Sequence, residues 1–152
     1  MDEPGIVQMR RHRVLVVQIG NRRYLTDVGI RSESPRIPIE LVYDTLQSDG
    51  VCEYRFRQDA FYGWVLCQKE YGKSWKPLYG FTEEPQIDDD FIMPCFYCEK
   101  HPDSTFNKFM KISIFSGESD FTLVNEIFQE YRNAKVQYRK RLTSQSEISD
   151  IL

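Results

Sequence analysis

The stretch RHRVLVVQIGNRRYLTDVG, residues 11–29, decides how this chain is read. Two runs rich in aliphatic and β-branched residues, VLVVQI and RYLTDV, flank Gly20-Asn21, a dipeptide suited to a two-residue hairpin turn. With those two residues at the tip, Ile19 faces Arg22 and, further out along the ribbon, Val14 faces Asp27. His12 is two residues before Val14, so it shares that face and lies diagonal to Asp27, within bridging reach. Both faces of the ribbon carry aliphatic residues, which predicts a covered, central ribbon where an unpaired carboxylate would be costly. A buried aspartate that accepts from one imidazole nitrogen holds the other in a defined tautomer, aimed beyond the strand end. A satisfied structural pair explains the same spacing, so the residues alone leave catalysis and structure both open.

The whole chain sets the frame. Its 152 residues, 41% hydrophobic and 14% aromatic, suffice for one sizeable core or two small ones. Twenty Lys and Arg against 23 Asp and Glu give a net charge of -3, which argues against a generic nucleic-acid binder. The basic clusters RRHR (10–13), RR (22–23) and YRKR (138–141) read as solvated faces. The opening MDEPGIVQ does not have the pattern of a secretory signal, and the longest aliphatic run near it, VLVV, is far too short to span a membrane. Cys52, Cys67, Cys95 and Cys98 read as free thiols of a reducing compartment, so the expected location is the cytoplasm.

From Arg13 to Phe81 the segments are short, aromatic and β-branched, and they are punctuated by Gly, Pro and Asp: VLVVQI, RYLTDV, CEYRFRQ, GWVLCQKE and WKPLYGF. That succession predicts a small antiparallel barrel or sandwich over residues 1–85. A second region, 86–152, starts with QIDDDFIMPCFYCEKHPDS, where three aspartates are placed to cap a helix, Pro94 to sit in its first turn, and Pro102 to end it. Strands follow at KFMKISIF and DFTLV around a turn at SGES. Residues 125–142 fit neither the helix nor the strand period. Ser144 and Glu147 have the spacing of a capping box, which predicts a last helix.

The cysteines carry little chemistry of their own. Cys52 and Cys67 fall on strands and read as small buried hydrophobes. Cys95, Cys98 and His101 spell C-x-x-C-x-x-H, but this is half of a tetrahedral zinc site with no second half at suitable spacing, so no metal is expected.

Taken together, these strings resemble one family. HRVLVVQIGNRRYLTDVG is similar to the strand pair of the arylamine N-acetyltransferases, which begins at the catalytic histidine and ends at the catalytic aspartate in a D-[VA]-G-F-G motif; the separation from His12 to Asp27 agrees. The order and spacing of PIEL (38–41), CEYRF (52–56), WKPLYGFTEEPQ (75–86), Asp90-Phe91, HPDSTF (101–106) and LTSQSEISDIL (142–152) agree as well. The resemblance implies an α+β fold of the cysteine-protease-like or transglutaminase-like type: a small antiparallel β-barrel carrying the His/Asp pair, then an α/β lid. It also implies ping-pong acetyl transfer from acetyl-coenzyme A, through a cysteine thioester, to an arylamine, arylhydroxylamine or hydrazine. His12 would activate the thiol and Asp27 would orient and stabilise its charged form. The same resemblance places Ser104 and Thr105 near coenzyme A, and Ile30 and Arg31 beside the acceptor.

The chain departs from the family at two points. Family members carry the nucleophilic cysteine before the histidine, in an R-G-G-x-C type motif on an N-terminal helical domain; the eleven residues before His12 hold no cysteine. The expectation is therefore a truncated form that cannot run the reaction alone, with an apolar surface left for a partner or for self-association. Ile30 also stands where the motif has an aromatic, and Arg31 where it has glycine. Loss of the aromatic removes a stacking contact of about 0.5–1.5 kcal/mol for an aromatic acceptor. The other readings are an inactive paralogue that binds an acyl-coenzyme A or a protein partner, and an unrelated small β-rich binding module.

Overall fold

The computed structural model describes residues 9–30, 34–116, 119–133 and 135–151. The chain divides into two compact units, Met1–Asp88 and Asp89–Leu152. It is an α+β protein whose strands pair antiparallel and whose helices are few and short.

In the first unit, β1 (Leu15–Ile19), β2 (Arg22–Thr26) and β3 (Ile39–Glu40) form a sheet in that order. The hairpin has the register that the Gly20-Asn21 turn predicts, with Ile19 opposite Arg22 and Leu15 opposite Thr26. Gly20 takes φ 59°, the left-handed conformation that the first central position of a tight hairpin turn demands. A second sheet runs β4 (Gln47–Ser48), β5 (Cys52–Asp59), β6 (Gly63–Glu70), β7 (Lys76–Phe81). Pro77 cannot donate to a ladder, and it lies on the edge strand β7 opposite Cys67, where the pairing shifts register.

One core joins the two sheets. Leu25, Ile39 and Leu41 meet Tyr54, Phe56, Trp64 and Leu66 in a single buried cluster. Trp64 stacks on Tyr43 with ring centroids 3.8 Å apart and meets Phe56 edge-on at 5.4 Å. A parallel bridge from Tyr43 to Phe56 and the Asp44 N–H donating to the Phe56 carbonyl at 2.9 Å stitch the sheets on one side. Among the described residues the ladder does not close into a ring.

The ribbon is not central, contrary to the expectation drawn from its aliphatic faces. Among the described residues β1 is the edge of its sheet, and Leu15, Val17 and Ile19, which share the face turned from the core, are exposed; Leu15 is 57% and Ile19 65% accessible. The inward face is set by β2 instead, where Leu25 is buried. The alternation was legible, but not which strand would have only one neighbour.

The second unit begins with a 3-10 turn at Asp88–Phe91 that leads into α1 (Ile92–Lys100). Its aspartates do not cap the helix: Phe91 holds the N-cap position with no side-chain hydrogen bond. The exit is as expected, with His101 extended just before Pro102. After α2 (Thr105–Lys108), β8 (Lys111–Ser116), β9 (Ser119–Val124), β10 (Ile127–Arg132) and β11 (Lys135–Arg141) form an antiparallel meander. Gly117 and Glu118 of the SGES turn lie outside the described residues. The unassigned stretch 125–142 is thus a hairpin. At the last helix, α3 (Gln145–Ser149), the Glu147 N–H donates to Ser144 Oγ at 3.2 Å. The Glu147 carboxylate takes Lys140 Nζ at 2.7 Å and the Thr143 N–H at 2.7 Å, which together draw its pKa down to about 2. The return bond of the box therefore goes one residue earlier than in the standard form.

Asp49 staples the loop before β5. Its carboxylate accepts from the N–H groups of Cys52 (2.8 Å), Val51 (2.9 Å) and Arg36 (3.3 Å) and from the Tyr54 hydroxyl (3.0 Å). Burial alone would raise its pKa; these donors outweigh burial and lower it. Asp49→Ala strips several donors of one acceptor, and chemical denaturation is expected to show a loss of about 2–3 kcal/mol at neutral pH.

Candidate active site

His12 lies just before β1 and Asp27 just after β2, so the hairpin register brings them together at the open end of the ribbon. His12 Nε2 is 2.8 Å from Asp27 Oδ2. The other carboxylate oxygen, Oδ1, accepts the Gly29 N–H at 2.7 Å, a local turn that aims the side chain inward. The Asp27 side chain is 2% exposed and the His12 side chain 32%. An incoming group can therefore reach the imidazole but not the carboxylate.

The electrostatics fix the tautomer. Burial on its own would push the Asp27 carboxyl up. The hydrogen bond from His12, the Gly29 N–H, the charge on His12 and the Tyr79 hydroxyl together outweigh it, and Asp27 is held below the ordinary carboxylate range. An ionised carboxylate can only accept, so Nε2 carries the proton toward it, and the uncharged form of such an imidazole offers Nδ1 as an acceptor. Such a nitrogen can take a proton from a thiol.

Two residues that the motif reading did not single out frame the pair. Continuing the hairpin register puts Gly29 opposite His12, and a Cβ at Gly29 would sit 2.6 Å from His12 Cε1. The imidazole therefore occupies the space a side chain would need. Tyr79 of β7 meets the imidazole edge-on, with ring centroids 5.2 Å apart. Gly29 belongs to the quoted motif and could have been found by extending the register. Tyr79 comes from the other sheet, and no local pattern connects it to His12.

The other candidates scatter. Ile30 is partly exposed, and its N–H donates to the buried Ser34 Oγ at 3.1 Å, which anchors the loop after Asp27. Arg31 lies outside the described residues. Ser104, in the second unit, is fully buried: its hydroxyl donates to the Cys98 carbonyl at 2.7 Å and accepts the Phe106 N–H at 3.3 Å as the N-cap of α2. Thr105 beside it is exposed. Cys52 and Cys67 are buried, and burial raises both thiols, which suits packing rather than attack. His101 stacks on Tyr97 at 4.5 Å and accepts the Asp103 N–H through Nδ1 at 3.1 Å. The basic clusters are engaged: Arg10 with Glu84, Arg13 with Asp88, Arg22 with Glu40, Arg23 with Glu83, Lys140 with Glu147 and Arg141 with Glu126. No helix among the described residues is long and apolar enough to cross a membrane.

A family model described as N-acetyltransferase matches residues 1–152. The chain belongs to the arylamine N-acetyltransferase family. It is 28% identical over 143 residues to the arylamine N-acetyltransferase of Escherichia coli K12, covering 93% of this chain and 50% of that protein. It is 27% identical over 106 residues to a Salmonella typhimurium protein named arylamine N-acetyltransferase / N-hydroxyarylamine O-acetyltransferase, covering 70% of this chain and 37% of that one. Among solved structures, arylamine N-acetyltransferase from Salmonella typhimurium superposes with a TM-score of 0.90 at 23% identity over 98% of this chain and 54% of its own. The Mycobacterium marinum enzyme in complex with CoA gives 0.84 at 24% identity over 99% and 55%. The chain spans about half the length of the curated family members it matches.

Two outcomes test the geometry. A carboxyl whose folded pKa is depressed stabilises the fold at pH values above its unfolded value, near 3.8, and that contribution disappears as pH falls through the folded value. Asp27→Asn is therefore expected to lower stability by about 1.5–3 kcal/mol at pH 5, with the gap to the parent chain closing toward pH 2 in thermal melts. Gly29→Ala forces the imidazole aside; a nitrogen-edited NMR spectrum is expected to show loss of the protected His12 Nε2 proton while the rest of the amide pattern persists.

Proposed function

We propose that this chain supplies the histidine and aspartate of a Cys-His-Asp acetyl-transfer site, with acetyl-coenzyme A as donor and an arylamine, arylhydroxylamine or hydrazine as acceptor. The observation that carries this reading is the 2.8 Å contact between a partly exposed His12 imidazole and a buried Asp27 carboxylate, which leaves Nδ1 free. Family membership and the names of the similar proteins support it, as does a neighbouring structure described in complex with CoA.

The chemistry follows from that nitrogen. His12 Nδ1 takes the proton of a thiol, and Asp27 stabilises the imidazolium so formed. The thiolate attacks the acetyl carbonyl, and coenzyme A leaves with the proton that His12 returns. The amine then attacks the thioester, His12 accepts its proton, and the thiol is released for another cycle. The buried Cys52 and Cys67 do not suit attack, and the family resemblance places the nucleophile before the histidine, so on this reading the reactive thiol comes from a polypeptide segment outside these 152 residues.

The remaining assignments follow the same reading. The first unit acts as the barrel that carries the pair and the second as an α/β lid. The turn at Ser104 and Thr105 faces coenzyme A, with buried Ser104 holding the turn and exposed Thr105 offering the hydroxyl. Ile30 borders the acceptor, and its replacement of a stacking aromatic disfavours large flat amines. The aliphatic face of Leu15, Val17 and Ile19 is where an accompanying segment or a second copy packs. Four free cysteines fit a cytoplasmic setting.

The deciding assay gives purified chain acetyl-coenzyme A and a simple arylamine, with and without an N-terminal segment of a similar family member that bears the cysteine. Acetylated amine is expected only when the segment is present, and His12→Ala is expected to abolish it. Turnover by the chain alone, or none with a segment shown to bind, would sink the reading.

A further inference from the structure

Free cysteine is among the most buried residue types, and Cys52 and Cys67 follow that rule. Cys95 and Cys98 break it together. Cys95 is exposed and Cys98 partly so, and both lie on α1, which holds no buried residue and presents Ile92, Met93 and Phe96 to solvent. Core packing therefore gives no reason for two thiols within one helical turn.

Their spacing decides what they can do. Three residues along an α-helix separate Cα atoms by about 5 Å, inside the span that a disulfide bridges. The Cβ atoms of such a pair are about 5–6 Å apart, whereas a relaxed disulfide holds them near 4 Å, so the bond closes only if the helix gives by about 1–2 Å. One end of α1 is free to give. Phe91 at its N-cap makes no side-chain hydrogen bond, and Pro94 in the first turn has no N–H to donate. The other end is pinned. Buried Ser104 donates its hydroxyl to the Cys98 carbonyl at 2.7 Å, and the His101 N–H donates to the Tyr97 carbonyl at 3.0 Å. Cys95 is thus the sulfur that moves toward a fixed Cys98.

We propose that Cys95 and Cys98 form a reversible redox site, which reacts with a small-molecule disulfide of the glutathione type and closes to a disulfide within α1. The Cys95 thiolate, the more accessible, attacks one sulfur of glutathione disulfide. The bond between Cys95 and that sulfur forms, the S–S bond of the glutathione disulfide breaks, and one glutathione thiolate leaves. The Cys98 thiolate then attacks the Cys95 sulfur, which forms the internal bond and expels the second glutathione thiolate. Two cysteine thiols are oxidised, one glutathione disulfide is reduced to two thiols, and the two cysteine protons end on the departing thiolates. Because closure strains the helix, the product is readily reduced, as befits a transient disulfide rather than a structural one. The consequence is local: the first turn of α1 loosens while the corner between Cys98 and Ser104 holds.

The site is independent of acetyl transfer, and so is its test. Folded chain is treated with glutathione disulfide at neutral pH and then unfolded, and its remaining thiols are alkylated and mapped by mass spectrometry. Untreated chain takes four labels. Treated chain is expected to take two, on Cys52 and Cys67, to carry no glutathione, and to regain all four after reduction with dithiothreitol. Cys98→Ser is expected to stop at one glutathione on Cys95. Cys95→Ser is expected to acquire its glutathione on Cys98 about tenfold more slowly, because that sulfur is partly shielded. Hydrogen exchange on the parent chain supplies a readout that needs no variant. On oxidation the amides of Phe96, Tyr97 and Cys98, which bond back to the first turn of α1, are expected to exchange about tenfold faster, with those of β9 unchanged. Four labels after treatment, glutathione retained on both sulfurs, or unmoved exchange in α1 overturns the proposal.

Discussion

The hydrogen bond between His12 and Asp27 is the contact on which the functional geometry depends, and it is set by a turn some distance away. Gly20 accepts a left-handed conformation, the two strands pair in one register, and the residues beyond the last ladder pairs are delivered to the same face. A slip of one residue would turn Asp27 toward the outer face with Leu15 and Val17. There the carboxylate would be solvated and would hold the imidazole weakly. The geometry of the His12–Asp27 pair and the hairpin register are therefore one constraint, enforced by the burial of Leu25 against Ile39 and Leu41.

The carboxylate also has to be kept charged where water cannot help it. Burial disfavours ionised Asp27, and the chain offsets this with donors drawn from two places, the imidazole across the ribbon and the backbone two residues on. Asp49 solves the same problem with three backbone N–H groups and a tyrosine. The two sites differ in what remains accessible. At Asp49 the donors are three backbone N–H groups and the buried Tyr54 hydroxyl, none of them a base, so the result is a staple. At Asp27 one donor is a partly exposed imidazole with a second nitrogen to spare, the arrangement on which the proposed function rests.

Much of this is legible in the amino-acid sequence, and what is not has identifiable causes. Turn residues with unambiguous chemistry placed the first hairpin and its register, and runs rich in β-branched and aromatic residues placed β5, β6 and β7 close to their observed ends. Residues 125–142 resisted because their turns are made by Asn125 and Asn133, which adopt positive φ without the glycine that usually advertises it. An irregularity between Glu130 and Tyr131 also breaks the two-residue period that would have marked the strands. The aspartates before α1 looked like caps, but a 3-10 turn absorbed them. At the site, His12 and Asp27 are linked by a local hairpin and could be computed, whereas Tyr79 is linked only through the packing of one sheet on another. Local register reaches as far as the ribbon reaches.

The exposed edge strand completes the argument. An isolated domain that leaves LVVQI at a sheet edge, uncharged and aliphatic on its outer face, carries a feature that native proteins usually cover or blunt with charge. Here Arg22 and Arg23 lie on the neighbouring strand and are paired with Glu40 and Glu83, so they do not protect it. The strand that exposes this face is the one that His12 precedes. His12 lies on the opposite face of the ribbon, with Val14 and Leu25, so in the proposed reaction the covering of the aliphatic face and the arrival of the thiol are separate events. Mutation of Ile19 to Lys is expected to weaken recovery of activity by the cysteine-bearing segment without moving the His12–Asp27 contact, because the substituted side chain points away from the core that sets the register.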